Sequence, residues 1–233
     1  MIYSIRFKSG YAAKLPGIRK KTFSFKSRLN LLTGPNGSGK STILRALADA
    51  AGCGSGGWGE KTPGSGKEIL TCSTDFFTVE RDGRPVFFQD CYTDSEKSFI
   101  DPSIFEKFSR LRSTGEKRIG LINELINHIE DRFITYKLKK EERPALVLDE
   151  IDNHIGFAGQ SLLWKHIFPL LLKKYQLIVS THSIFPLLLN REKTLREDNL
   201  ISLVKGYEEF CMKELAFAID YYNRQKSREI KKK

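Results

Sequence analysis

The chain has 233 residues, 40% of them hydrophobic, and a formal net charge of +11 at pH 7. That is enough apolar material for one full-sized core, and enough positive charge to attract polyanions. A secreted or membrane-spanning protein is not expected. The opening Met1 to Phe7 alternates like a half-buried strand rather than a leader peptide, and the apolar stretches Leu162 to Leu172 and Ile184 to Leu189 are too short, or too interrupted by Lys165 and His166, to cross a bilayer. Cys53, Cys72, Cys91 and Cys211 form no close pair, which indicates neither a zinc knuckle nor a disulfide framework and fits a reducing cytoplasm.

In chain order, Tyr3 to Phe7, Thr22 to Phe25 and Leu29 to Thr33 read as strands, separated first by a basic loop, Gly10 to Lys21. The third strand runs into a glycine loop, and from Gly39 the spacing of Ile43, Leu44, Leu47 and Ala51 predicts a helix stopped by Gly52. Gly52 to Lys67 reads as a flexible, glycine-rich surface loop without a packed element. Glu68 to Ser73, Phe76 to Arg81 and Pro85 to Gln89 read as three short strands of an antiparallel patch, the last two joined by the turn Asp82-Gly83.

A helix is expected from about Ser113 to Lys137, with Ile122, Leu125, Ile126, Ile129 and Phe133 on its buried face. Ala145 to Leu148 and Gln176 to Ser180 are continuous apolar runs of the kind covered on both faces in a parallel sheet. A helix over roughly Gly159 to Lys173 supplies the crossover between them. The fold class is therefore α/β, with a mixed or parallel central sheet flanked by helices and an N-terminal antiparallel patch, expected as one domain over residues 1–233. The last residues, Lys226 to Lys233, concentrate five positive charges in a terminal tail, which reads either as a nucleic-acid contact or as a solvated end.

Gly34, Pro35, Asn36, Gly37, Ser38, Gly39, Lys40 and Ser41 match G-x-x-x-x-G-K-[ST] in full, with a strand before and a helix, opening with Thr42, after. Glycines let backbone N–H groups converge on phosphates, and the helix N-terminus adds a favourable dipole. Lys40 neutralises β- and γ-phosphate charge, and Ser41 is a magnesium ligand. The α/β fold is therefore expected to be that of a P-loop NTPase, with ATP and Mg²⁺ as its cofactors. The later Gly64-Ser65-Gly66-Lys67 is read as plain loop.

The strand ending at Leu148 delivers Asp149 and Glu150 to the same edge of the sheet. Asp149 is expected to hold magnesium through water and Glu150 to polarise the attacking water. His182 follows the next strand, where an imidazole would bond the γ-phosphate or that water. A lone histidine is more often structural, but the place of His182 at a strand's C-terminal end, the face where such sheets bind ligands, favours the catalytic reading. Asp-Glu after a strand is by itself common as a surface pair. The set is what points to a hydrolytic site.

The order of the glycine loop, Gln89, Ser113-Thr114-Gly115-Glu116, Leu148-Asp149-Glu150 and His182 resembles the ATP-binding-cassette ATPases. The resemblance implies that Gln89 senses magnesium and γ-phosphate, and that Ser113 and Gly115 cap the nucleotide of a second subunit in an ATP-dependent homodimer. It also implies an adenine-stacking aromatic upstream of the loop, a place Tyr11 occupies, although Tyr11 equally suits nucleic-acid contact or surface packing. The signature variant is similar to those of soluble SMC-like and overcoming-lysogenization-defect-like members, small AAA-family ATPases. Only Asp90 to Arg112 separates Gln89 from the signature, too short for a transporter's helical subdomain or for SMC coiled-coil arms.

Such a protein is expected to work on nucleic acid or an effector protein in repair, phage or defence processes, without a membrane. The alternatives are a nucleotide-locked binding module in which hydrolysis is incidental, a transporter's nucleotide-binding subunit, and a P-loop kinase, which would need neither the signature nor Asp149-Glu150. No nuclease cluster of acidic residues is recognisable.

Overall fold

The computed structural model describes residues 1–53, 57–59, 68–91, 126–127, 129–131, 134, 144–153, 155–191 and 199–230. Its strands fall into two sheets. A four-stranded antiparallel sheet has the order β2-β1-β6-β5, from β1 (Ile2–Phe7), β2 (Thr22–Ser24), β5 (Leu70–Ser73) and β6 (Phe77–Arg81). A six-stranded sheet has the order β10-β3-β9-β8-β7-β4, from β3 (Leu29–Thr33), β4 (Gly57–Gly59), β7 (Val86–Asp90), β8 (Ala145–Asp149), β9 (Gln176–Ser180) and β10 (Asn199–Ser202). All its strands run parallel except the edge strand β4.

Helix α1 (Lys40–Ala50) lies between the two sheets. Its Ile43, Leu44 and Leu47 are fully buried against Ile5 and Val79 of one sheet and Val147 and Ile178 of the other. The opposite face of the parallel sheet is covered by one helical rod: α2 (Phe157–Leu162), a π-helical segment (Leu163–Ile167) and α3 (Phe168–Leu171). Trp164 and Phe168 pack there edge to face, centroids 4.5 Å apart, over Leu146 and Leu177. Because both faces are buried, every residue of β8 and β9 is buried, which accounts for their unbroken apolar runs.

The sheets are joined by two buried amides. The Gln176 carboxamide accepts from the Ile2 N–H and donates to the Ile2 and Lys26 carbonyls, each at 2.8 Å. Asn30 accepts from Lys26 N–H at 2.7 Å and donates to Leu177 O at 3.2 Å. Satisfied on both sides, these polar groups cost little to bury and fix one arrangement of the two layers.

Three expectations change. Pro85 to Gln89 does not extend the antiparallel patch: the Asp82 side chain accepts from Arg84 N–H at 3.0 Å, and the chain crosses into the parallel sheet, where Val86, Phe87 and Phe88 need cover on both faces. The glycine-rich loop contains a strand after all: β4 pairs antiparallel with β7, Gly57 opposite Phe88 and Gly59 opposite Val86. Residues 226–230 of the expected basic tail belong to the C-terminal helix α5 (Tyr207–Ile230), and α4 (Phe185–Arg191) forms from the apolar run after His182.

Of the helix expected over 113–137, residues 126, 127, 129–131 and 134 are described and helical, with Ile129 in the core and Ile126 packed against it. Ser113 and Gly115 lie outside the described residues. Among the described residues no helix is long and apolar enough to cross a membrane.

Candidate functional site

The C-terminal ends of β3, β8 and β9 lie side by side, and the loops that leave them bound a cleft of about 550 Å³. The structure gathers Asn36, Gly37, Gly39, Lys40, Ser41 and Thr42 there with Glu150 and His182, which come from distant parts of the sequence. Tyr11, 78% exposed, also lines it.

Gly39 is the residue before α1 and has φ +103°, a left-handed conformation that a β-carbon penalises. No side chain caps this helix end and no acidic residue occupies its first turn, so its N–H groups and dipole face the cleft. A β-carbon on Gly39 would sit 2.6 Å from Ile18 Cδ1. Gly39→Ala is therefore expected to lose about 1–3 kcal/mol of stability, read by denaturant unfolding, together with nucleotide affinity.

Lys40 is 4% exposed and folds back into the loop, donating to Gly34 O at 2.9 Å and Pro35 O at 3.3 Å. Burial pushes its pKa down, opposed by the carboxylates of Glu150 and Asp149. Glu150 Oε1 lies 4.0 Å from Lys40 Nζ and 2.9 Å from His182 Nε2. The Glu150 backbone is left-handed, φ +50°, and its N–H is held by Ser180, at 3.1 Å to both carbonyl and hydroxyl.

Asp149 is fully buried at the end of β8. Its Oδ1 accepts from Ser41 Oγ at 3.1 Å and from Ser180 Oγ, while Oδ2 has no partner among the described residues, and neither does the buried Ser38 Oγ. Two buried oxygens without a partner among the described residues, at a phosphate-type loop, suit a polar ligand there. Ser41 and Asp149 offer hard oxygens of the kind magnesium takes, so the residues present fit Mg²⁺ and a nucleotide. Burial raises the Asp149 pKa, against the two serine hydrogen bonds; a dication at this position would favour the charged form.

The structure does not bring Gln89 into the cleft. It stands level with Leu148 on β8, sharing the sheet face of Phe87, and its amide donates to Asp90 O at 2.9 Å. One residue of strand parity puts Asp90, level with Asp149, on the α1 side instead, 3.5 Å from Arg45.

A buried group behind the site was not foreseen. Asp152, 3% exposed, accepts at one oxygen from Trp164 Nε1 at 2.8 Å and Thr181 Oγ1 at 2.6 Å, so the loop after Glu150 is tied to the residue before His182. Only its place two residues after Glu150 marks it in the sequence. Burial raises the Asp152 pKa, so the folded state holds this proton more tightly than the unfolded chain. The stability it contributes is present below the ordinary carboxylate range and is lost as pH rises through the raised value. Asp152→Asn, neutral and still an acceptor, is expected to flatten that loss in unfolding experiments run from acid to neutral pH.

Among the described residues no group of three or more His, Cys, Asp or Glu is placed to hold a metal by itself. No curated protein matches the chain. A family model described as an AAA domain matches residues 14–233, nearly the whole chain and all of the phosphate-loop, Asp149-Glu150 and His182 segments, and the protein belongs to that AAA-domain family of P-loop ATPases.

Proposed function

We propose that the protein binds ATP with magnesium in this cleft, hydrolyses it, and closes head to tail with a second copy while ATP is bound, so as to act on nucleic acid or an effector protein in the cytoplasm. The observation that carries the catalytic part is the convergence of Lys40, Glu150 and His182 beside the unpartnered oxygen of Asp149. Lys40 is placed to leave its two carbonyls for phosphate oxygens, and Ser41 with Asp149 to hold magnesium, which would neutralise charge developing on the phosphates. Glu150 is placed to take the proton of the attacking water, oriented by the His182 imidazole whose Nε2–H it accepts.

The dimer rests on the resemblance of Ser113 to Glu116 to a signature motif. Sedimentation velocity of Glu150→Gln with ATP and magnesium tests it: a species of twice the monomer mass is expected, absent with ADP. A variant that binds ATP and stays monomeric sinks the head-to-tail reading. Wild-type turnover equal to that of Glu150→Gln would instead favour a nucleotide-locked binding module.

A further inference from the structure

A second concave surface shares no lining residue with the nucleotide cleft: a groove of about 1000 Å³ over the outer face of the antiparallel sheet. Its cations are Arg6, Lys8, Arg19 and Lys20, all exposed. Arg6 stands in a cross-strand row between Thr22 on β2 and Thr78 on β6, so cation and hydroxyls face the groove together. Lys8 donates to Ser73 Oγ and Thr74 O, whereas Arg6, Arg19 and Lys20 have no ion-pair partner among the described residues. Glu80, the one carboxylate lining the groove, accepts from Ser4 Oγ at 2.7 Å. The N-terminal segment that supplies all four cations adds no neutralising charge of its own: residues 1–48 hold ten Lys and Arg and no Asp or Glu.

Arginine and hydroxyl donors together in a groove fit phosphate oxygens. A membrane surface is a poorer match, because the lining is concave and its Phe7 is buried. A single strand is poorer too, since no exposed aromatic side chain lines the groove to stack bases.

The groove and the cleft meet in one segment. Residues 11–20 place Tyr11 and Leu15 in the cleft and Arg19 and Lys20 in the groove. Between them, Gly17 lies so close to the phosphate loop that a β-carbon there would be 2.3 Å from Ser38 O. Lys20 is left-handed, φ +58°, one of two non-glycine residues so held among those described, and such strain marks positions that the fold over-determines.

We propose that this groove binds the phosphate backbone of duplex nucleic acid without sequence preference, and that segment 11–20 couples its occupancy to the nucleotide cleft. The coupling rests on the ATP-binding reading; the groove does not.

The test is fluorescence anisotropy of a labelled duplex, first without nucleotide. Each phosphate-contacting cation adds about 0.9 to the salt slope, so Arg6→Ala/Arg19→Ala/Lys20→Ala should reduce it by about 2.7, an increment of roughly 40-fold in affinity between about 50 and 200 mM salt. Lys226→Ala/Arg228→Ala should change the slope less than the triple variant does. An unchanged slope and affinity in the triple variant overturns the groove; tighter binding of single strands, or equal binding of phosphatidylserine vesicles, overturns the choice of duplex.

Coupling is read separately. A non-hydrolysable ATP analogue with magnesium should shift wild-type duplex affinity by at least about 5-fold, and duplex should shift analogue affinity by the same factor. Gly17→Ala should keep duplex binding and lose the shift. A wild-type shift absent in both directions, with analogue bound, overturns the coupling; failure to bind the analogue at all overturns the nucleotide reading and leaves the groove result standing.

Discussion

Replacing Glu150 with Gln is expected to lower phosphate release from ATP by about 10²- to 10⁴-fold while ATP still binds, the range a positioned general base contributes. The expectation follows from where the carboxylate stands. It is 2.9 Å from His182 Nε2 and 4.0 Å from Lys40 Nζ, but it is not the residue that shares an oxygen with Ser41, a place taken by Asp149. Glutamine keeps the size and one acceptor for the imidazole, so the cleft should remain intact while the proton acceptor is lost. Single-turnover kinetics with enzyme in excess of ATP separate the chemical step from release. Because His182 and Glu150 are bonded to each other at 2.9 Å, the effects of His182→Ala and Glu150→Gln should be strongly non-additive, and full additivity would show that the pair does not act as a unit.

The second large effect concerns Lys40. Lys40→Met should abolish the thermal stabilisation by ATP and magnesium and weaken nucleotide binding by about 2–5 kcal/mol, the cost of removing one partner of a buried charged pair. With wild type and nucleotide at about 100 times its dissociation constant, linkage gives roughly 2.7 kcal/mol of stabilisation. That corresponds to a rise of about 5–10 °C in Tm for a chain of this size. The ligand-free variant should behave oppositely. Lys40 is buried, its ammonium is disfavoured by desolvation, its neutral partners among the described residues are the carbonyls of Gly34 and Pro35, and Glu150, 4.0 Å away, keeps His182 as a partner without it. A methionine of similar shape removes that cost, so the apo variant is expected to be at least as stable as wild type. A lowered apo Tm together with an undiminished nucleotide shift would contradict both halves.

The phosphate loop was legible because its chemistry is local: Gly34 to Ser41 needs only a strand before it and a helix after it, and both are present as β3 and α1. Asp149 and His182 were legible for a related reason, as they end apolar runs that only a doubly covered parallel sheet explains. What failed depends on partners distant in sequence. The run Val86 to Phe88 is as hydrophobic as an antiparallel strand would be, and its neighbour, β8, lies more than fifty residues on. Gln89 matched a motif by order, but order does not give strand parity, and the register with Leu148 turns it from the cleft. Asp152 had a place in the sequence, in the stretch that follows Glu150, but not its burial, since its donors, Trp164 and Thr181, come together only when the helical rod packs beneath the loop. Strand β10 and helix α5 carry no local motif that distinguishes them from polar linker and basic tail.

Trp164 makes the site observable by light. It is one of two tryptophans in the chain, is fully buried, and donates its indole N–H to the carboxylate that also holds Thr181, next to His182. Indole emission depends on that bond and on the polarity around the ring, so any shift of the Glu150 to Asp152 loop when the cleft fills changes the colour or yield of the emission. With Trp58 replaced by Phe, Trp164 becomes the sole emitter. Rapid-mixing fluorescence would then time the rearrangement of the loop in an otherwise unlabelled protein.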